Sequence, residues 1–379
     1  MDKNIEPESK STGQKKVRPG KNEWIDTAGY THRYFVDPRK EISPRVTWSV
    51  LLLVTLLASI IGWFCVRDIS PEKQSPRHVV QFPASGKIFM VRRPPITLKE
   101  DNPFLIATGQ DNTFLIADSD EIAVYNLRGE KIKSFVWKNE RKKVPTALLC
   151  VTQINHPLHN TILMAVGDEV LAFDAQEGTL VKDPVFSILD GRITDLAVDQ
   201  KSVWAADIQH GEITRWDGEN DFQVPSLTVG NTENERDAFP GFLMPATAGF
   251  SITTFPVSRF ILATNPKRFQ IEAFNRETGS WVPENSWACP PGTKNGFSGQ
   301  ENPSRIKYLP NGSILTTEYG KDGIIRLFDS KGELQAVLTL PKEFVFSEPW
   351  IPEPAVLNND CILILTPNAQ VVVFERLEH

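Results

Sequence analysis

The sequence predicts an all-β fold: a six-bladed β-propeller, preceded by a single transmembrane helix and a disordered N-terminal tail. Three observations predict it. A unit made of a short apolar run, a polar break and an alternating run ending in an aromatic recurs down the chain, first in "IADSDEIAVYNLRGE" and later in "MAVGDEVLAFDAQEGT" and "TTEYGKDGIIRLFDSKGE". The units are rich in Val, Ile, Thr and aromatics at period two, with Gly, Pro and Asn between the runs, which is strand and turn chemistry rather than helix chemistry. Ahead of them lies one long uncharged stretch.

The elements follow in order. Residues 1–45 are a tail, largely disordered and expected in the cytoplasm, since positions 1–23 hold almost nothing apolar. Trp24, Tyr30, Tyr34 and Phe35 gather near its end. They are expected either to rest in lipid headgroups or to form a docking peptide for a cytoplasmic or membrane partner. Residues 46–66, "VTWSVLLLVTLLASIIGWFCV", carry no charge and are long enough at about 1.5 Å per residue to cross a bilayer core. The stretch starts too late and lacks the small-residue cleavage pattern for a signal peptide, so it is expected to be an uncleaved single-pass anchor in a cytoplasmic (inner) membrane. The expected orientation leaves the N-terminus in the cytoplasm and the large domain on the extracytoplasmic side. Residues 67–95 are a linker and closing strand, and 96–379 the propeller.

Charge bounds the partners. The chain holds 41 Lys/Arg against 47 Asp/Glu. Residues 1–45 carry ten and seven of these, so the tail is +3 and the remainder −9. A nucleic acid is not an expected partner, because phosphate binding wants a basic surface.

The aromatic ending each alternating run marks the repeat: Tyr125, Phe173, Trp216, Phe274, Phe328 and Phe374, spaced 48, 43, 58, 54 and 46 apart. A period in the forties with several short strands per unit marks a propeller. In the third unit "TDLAVD", "VWAAD" and "EITRWD" read as the inner three strands and "FQVPSL" as a weak outer one. The fifth repeats this as "RIKYLP", "SILTTE", "GIIRLFD" and "ELQAVLTL". These two units resemble NHL repeats, with an apolar strand, Asp and Gly in a turn, a strand ending in Ala-Asp, a polar loop, and a strand ending in Phe-Asp. The stretch "GFSGQENPSRIKYLPNGSILTTEYGKDGIIRLFDSKGELQAVL" looks like a membrane-anchored bacterial subgroup of such proteins whose activity is unassigned. The sixth unit stops after its third strand, so "HVVQF" or "GKIFMVRR" is expected to supply the missing outer strand and remove an open edge.

Strand direction selects one end of the ring, where the connections entering the inner strands and the loops between second and third strands emerge together. Arg192, His210 and Arg268 fall there, with Asp118, Asp207, Asn265 and Glu318. The resemblance extends to gluconolactonase-like propellers, which hold a divalent metal at the channel mouth with carboxylate and Asn ligands. It therefore implies Asp118, Asp207, Asn265 and Glu318 as a metal set, and oxygen ligands of that kind suit Ca2+ or another divalent cation. The competing reading is that an Asp ending a strand orders the loop after it by accepting backbone N–H groups. His156 and His159, in "NHPLHN", read as turn residues. No phosphate-binding Gly-Lys loop, nucleophile elbow or paired-Cys motif is present.

Cys150 and Cys361 fall in strands and no structural disulfide is expected, which leaves Cys289 in "WACPPG" as the exposed thiol. The long loop 280–304 contains Trp281, Trp287 and Phe297 and ends in Gln300, Glu301 and Asn302. It is expected to be either a partner-binding surface or a lid packed on the ring's own rim. A second insertion, 230–247, lies one blade earlier. These readings converge on a membrane-tethered, extracytoplasmic propeller acting as a protein-binding or scaffold module with no resident cofactor. The alternative is a metal-dependent hydrolase or lactonase at the channel mouth.

Overall fold

Six antiparallel four-stranded sheets form in sequence, one for each repeat. The computed structural model describes residues 23–25, 31–33, 89–99, 103–137, 143–230, 239–244, 249–255, 257–293, 295–299, 301–358 and 361–376. The inner strands are Leu105–Thr108, Pro145–Val151, Ile193–Val198, Ile252–Thr254, Arg305–Tyr308 and Glu353–Asn358. Each touches the next, and the last touches the first, so the blades close into a ring. Second strands such as Thr161–Val166 and Ser202–Asp207 are buried along their whole length, because a blade interior is covered on both faces. Outer strands such as Lys131–Val136 alternate instead, with one side chain in and the next out.

The repeated Asp and Asn serve the turns. Asp199 Oδ1 accepts the N–H groups of Lys201 and Ser202, Asp329 Oδ1 those of Lys331 and Glu333, and Asn126 Oδ1 those of Arg128 and Glu130. The motif that spaces the repeats is therefore a set of side-chain turns that end one strand and aim the next.

Neighbouring inner strands share no ladder, and side chains bridge them. Thr108 Oγ1 donates to Val356 O at 2.7 Å, Thr194 Oγ1 to Phe250 O at 2.6 Å, and Thr317 Oγ1 to Pro352 O at 2.8 Å. Buried Asp195 accepts from Ser251 Oγ, from the N–H of Ile252 and from Lys307 Nζ, linking blades three, four and five. Arg305 pairs with Glu353 at 2.6 Å and lies flat on Gly249, where an added Cβ would come within 2.0 Å of the guanidinium. Burial works against the Arg305 charge, but the carboxylates of Glu353 and Asp195 outweigh it and hold its pKa above the usual guanidinium range.

Closure uses the second of the two segments anticipated for it. Phe89–Thr97 pairs antiparallel with Gln370–Arg376, placing Val91 opposite Phe374 and Ile96 opposite Val371. The register breaks between Val371 and Val373, beside Pro94 and Pro95. An outer strand tolerates prolines, since one edge of its backbone has no ladder to serve. The closing strand thus runs on to Thr97, and the alternative "HVVQF" at 78–82 lies outside the described residues.

Other details correct the sequence reading. In blade three the outer strand is Pro225–Val229 rather than 222–227. Phe222 sits instead at positive φ and turns its ring into the core beneath His156. Near the N-terminus, Glu23–Ile25 pairs with Thr31–Arg33, setting Trp24 opposite His32 where no pairing was expected. Tyr30, Tyr34, Phe35 and the anchor 46–66 lie outside the described residues; among those described, no helix is long and apolar enough to cross a membrane.

The pairing predicts a stability difference. A chain beginning at Pro95 lacks Phe89 and Val91, which pack against the core of blades five and six. Burial of that kind is worth about 1.5–3 kcal/mol per fully buried side chain. Its melting temperature should fall by roughly 5 °C or more relative to a chain beginning at Arg67. Equal melting temperatures in differential scanning calorimetry would rule the closure out.

Candidate functional site

The loop end of the ring gathers most of the candidate polar residues, and each is engaged close to home. Asp118 Oδ1 accepts the N–H groups of Asp120 and Glu121 at 2.8 and 2.6 Å. Asp207, only 1% exposed, accepts the N–H of Arg192 at 2.8 Å and of Gln209 at 2.9 Å, and its second oxygen holds His210 Nδ1. His210 itself is 41% exposed. The hydrogen bond it gives to Asp207 raises its pKa above the ordinary histidine value, with Glu212 and Asp190 adding to the effect. A buried carboxylate thus fixes an exposed imidazole in one orientation.

Asn265 is fully buried. Its Oδ1 accepts the N–H of Leu243 at 3.0 Å, and its Nδ2 donates to Gly241 O and to Glu272 Oε1, both at 3.3 Å. Glu318 is paired with Arg326 and also accepts the N–H of Ser298 at 2.6 Å. The four residues implied as a metal set therefore hold four separate pieces of backbone. Among the described residues no three His, Cys, Asp or Glu side chains are placed to hold one ion. The donors present, each committed to its own loop, do not converge on a site for a divalent cation.

Parts of the long loop 280–304 are packed on the ring. Phe297 is 2% exposed, with its ring edge-on to Phe328 and beneath the Arg326 guanidinium, so it cannot meet a partner as expected of it. Asn302 is likewise buried; it accepts the Tyr319 N–H and donates to the Ser298 carbonyl, which ties the loop to blade five. Trp287 is half-buried against Phe328 and Trp281 half-buried against Phe239, while Glu301 is half-buried and Gln300 lies outside the described residues. Cys289, expected to be exposed, is buried in the same cluster, and burial pushes its thiol pKa up. Cys150 and Cys361 are buried thiols in strands, with the Cys150 thiol pushed up to about 11.

Sequence reasoning missed Glu272. It sits in strand Gln270–Asn275, fully buried, and accepts from Trp281 Nε1 at 2.9 Å and from Asn265. Burial pushes its carboxyl pKa up, against the pull of those hydrogen bonds and of Arg268. Its only signal in the sequence is an acid among the apolar residues of "IEAF".

Large aliphatic side chains are exposed at both ends of the ring: Leu189 at 85% and Val136 at 79%, with Val144 and Leu243, at the loop end, and Ile154 at 82% and Val257 at 84% at the other. Val144 and Leu189 flank one turn: Lys143 pairs with Asp168 at 2.6 Å, and the Ile188 N–H donates to Asp168 O at 2.8 Å. No protein-family model and no curated protein matches the chain.

Two outcomes test this geometry. Phe297→Ala should lower stability by about 3–5 kcal/mol, as loss of a buried aromatic does; a melting temperature equal to wild type would return the loop to the surface. Glu272 gives a pH signature. With its folded pKa raised, the folded state holds a proton that the unfolded chain has released. Stability is therefore full below the ordinary glutamate value and declines as pH rises through the raised one. Denaturant titrations of Glu272→Gln and wild type from about pH 4 to about pH 8 should show the variant gaining on wild type as pH rises. Parallel profiles would mean that Glu272 titrates normally.

Proposed function

We propose that the chain is a membrane-tethered, extracytoplasmic propeller of the NHL type that serves as a protein-binding or scaffold module. The observation that carries this reading is the contrast at the loop end of the ring. The polar side chains best suited to chemistry there hold loops, whereas Val136, Val144, Leu189 and Leu243 face solvent. The exposed aliphatics at that end support contact with another protein there. The uncharged stretch 46–66 and the +3 tail support tethering in the expected orientation. The metal-dependent hydrolase reading has no convergent ligand set behind it among the described residues.

The test has two arms. With Cys65→Ser as background, Ser85→Cys should react with a membrane-impermeant maleimide in intact cells, and Ser11→Cys only after permeabilisation; the reverse pattern overturns the orientation. A photo-crosslinker at Leu189 should capture a protein neighbour in native membranes, and one at Val257, on the opposite end of the ring, should not. Capture from Val257 alone would move the contact face.

A further inference from the structure

The insertion between blades three and four behaves like a ligand. Between blades two and three the chain crosses in residues 188–192, yet between Pro225–Val229 and Ile252–Thr254 it takes residues 230–251. The ring does not need this length. Within it, 239–244, "FPGFLM", belongs to no sheet and lies in the groove between the two blades.

Two kinds of contact hold it there. Phe239 packs edge-on to Phe274 at 4.9 Å and beside Trp281 at 5.8 Å, and Phe242 packs on Phe250 at 4.8 Å and on Phe274 at 5.5 Å. The floor under Phe242 is made of glycine: a Cβ on Gly230, which holds φ +103°, would come within 2.8 Å of the ring. Around these two anchors the backbone is held by side chains rather than by a strand ladder. The Asn265 carboxamide takes the Leu243 N–H and gives to Gly241 O, and Arg268 Nη2 donates to Pro240 O at 3.0 Å. Pro240 and Leu243 point outward. Glu272 and the indole N–H of Trp281 brace the base of the groove beside Asn265.

Each element suits recognition of an extended peptide. A buried carboxamide that pairs with both a donor and an acceptor of a main chain takes any sequence that can lie there, and specificity falls to the two aromatic anchors three residues apart.

We propose that the groove between blades three and four is a peptide-docking site, which the chain fills with its own 239–244 and which a protein partner enters with an extended, uncharged segment bearing two large aromatic side chains three residues apart. This rests on the reading of the propeller as a protein-binding module and names the chemistry of its partner. Occupation in cis sets a threshold. A segment on a short tether competes at an effective concentration on the order of millimolar, so the filled groove admits only a partner that is itself concentrated or tethered nearby.

The probe is the capped, fluorescently labelled peptide FPGFLM, titrated by anisotropy into the full-length protein in detergent micelles. Phe239→Ala/Phe242→Ala should bind it saturably and at least about tenfold more tightly than wild type, because the competitor in cis has lost its anchors. Adding Asn265→Ala to that variant should weaken binding again by about tenfold, the loss expected for hydrogen bonds to the peptide backbone. A peptide with both Phe replaced by Ala should not bind.

Absence of saturable binding to a double variant that melts like wild type overturns the proposal and makes 239–244 packing only. If the double variant does not fold, hydrogen exchange in wild type decides. Faster exchange of the Leu243 amide under excess peptide shows displacement and supports the site, and unchanged exchange overturns it. A wild-type dimer that dissociates on Phe242→Ala would assign the groove to a second copy and likewise overturn the partner reading. None of these outcomes depends on the Leu189 crosslink or the maleimide labels, so the groove and the broader function can fail separately.

Discussion

A ring of sheets has a problem at its centre: the inner strands stand edge to edge around the axis, and no ladder joins one blade to the next. Asp195 is the most connected answer in this structure. One buried carboxylate gathers a hydroxyl, a backbone N–H and an ammonium from two further blades, and the threonine hydroxyls do the same on a smaller scale. A buried charge is tolerable only when it is paired and hydrogen-bonded, and here the pairing doubles as the fastening. With the blades fixed at the axis, the loops at one end have set positions. The polar groups there could therefore be committed to holding particular stretches of backbone.

The architecture was legible in the sequence because its signal repeats. Six aromatics ending six alternating runs set the blade count, and the missing fourth strand of the last unit pointed back to the segment before the first. Turn residues were legible for the same reason, since Asp and Asn recur at fixed offsets. The site was less so. An aromatic in a loop of prolines and glycines looks the same in sequence whether it faces solvent or core, and the partners that bury Phe297, Phe328 and Arg326, lie on another strand. Asn265 had the right side chain for a ligand and the right position, but its partners at 241 and 243 belong to an insertion with no repeat to predict it. Glu272 was invisible because a lone acid in an apolar run reads as a solvated position until the neighbouring blade is in place.

Segment 239–244 and much of the described part of loop 280–304 pack onto the ring. Loop 280–304 is tied down by the Glu318–Arg326 pair, which bonds Ser298 and Gly296, and by the buried Phe297 ring, whereas 239–244 is held by aromatic contacts and hydrogen bonds to its main chain. The first arrangement depends on the identity of its residues; the second would accept a substitute with similar anchors.

The closing pair has a temporal side. Phe89–Thr97 precedes every blade and pairs with Gln370–Arg376, so the sixth blade is completed by a strand made before any of the other five. Contacts this distant in sequence form slowly, because the intervening chain must be brought round before they give any return. Until then the last blade presents an unpaired edge, and so does the segment waiting for it. During synthesis the chain carries two complementary strand edges that could pair with those of another copy, and the factors that keep nascent chains apart would have their longest task at this seam.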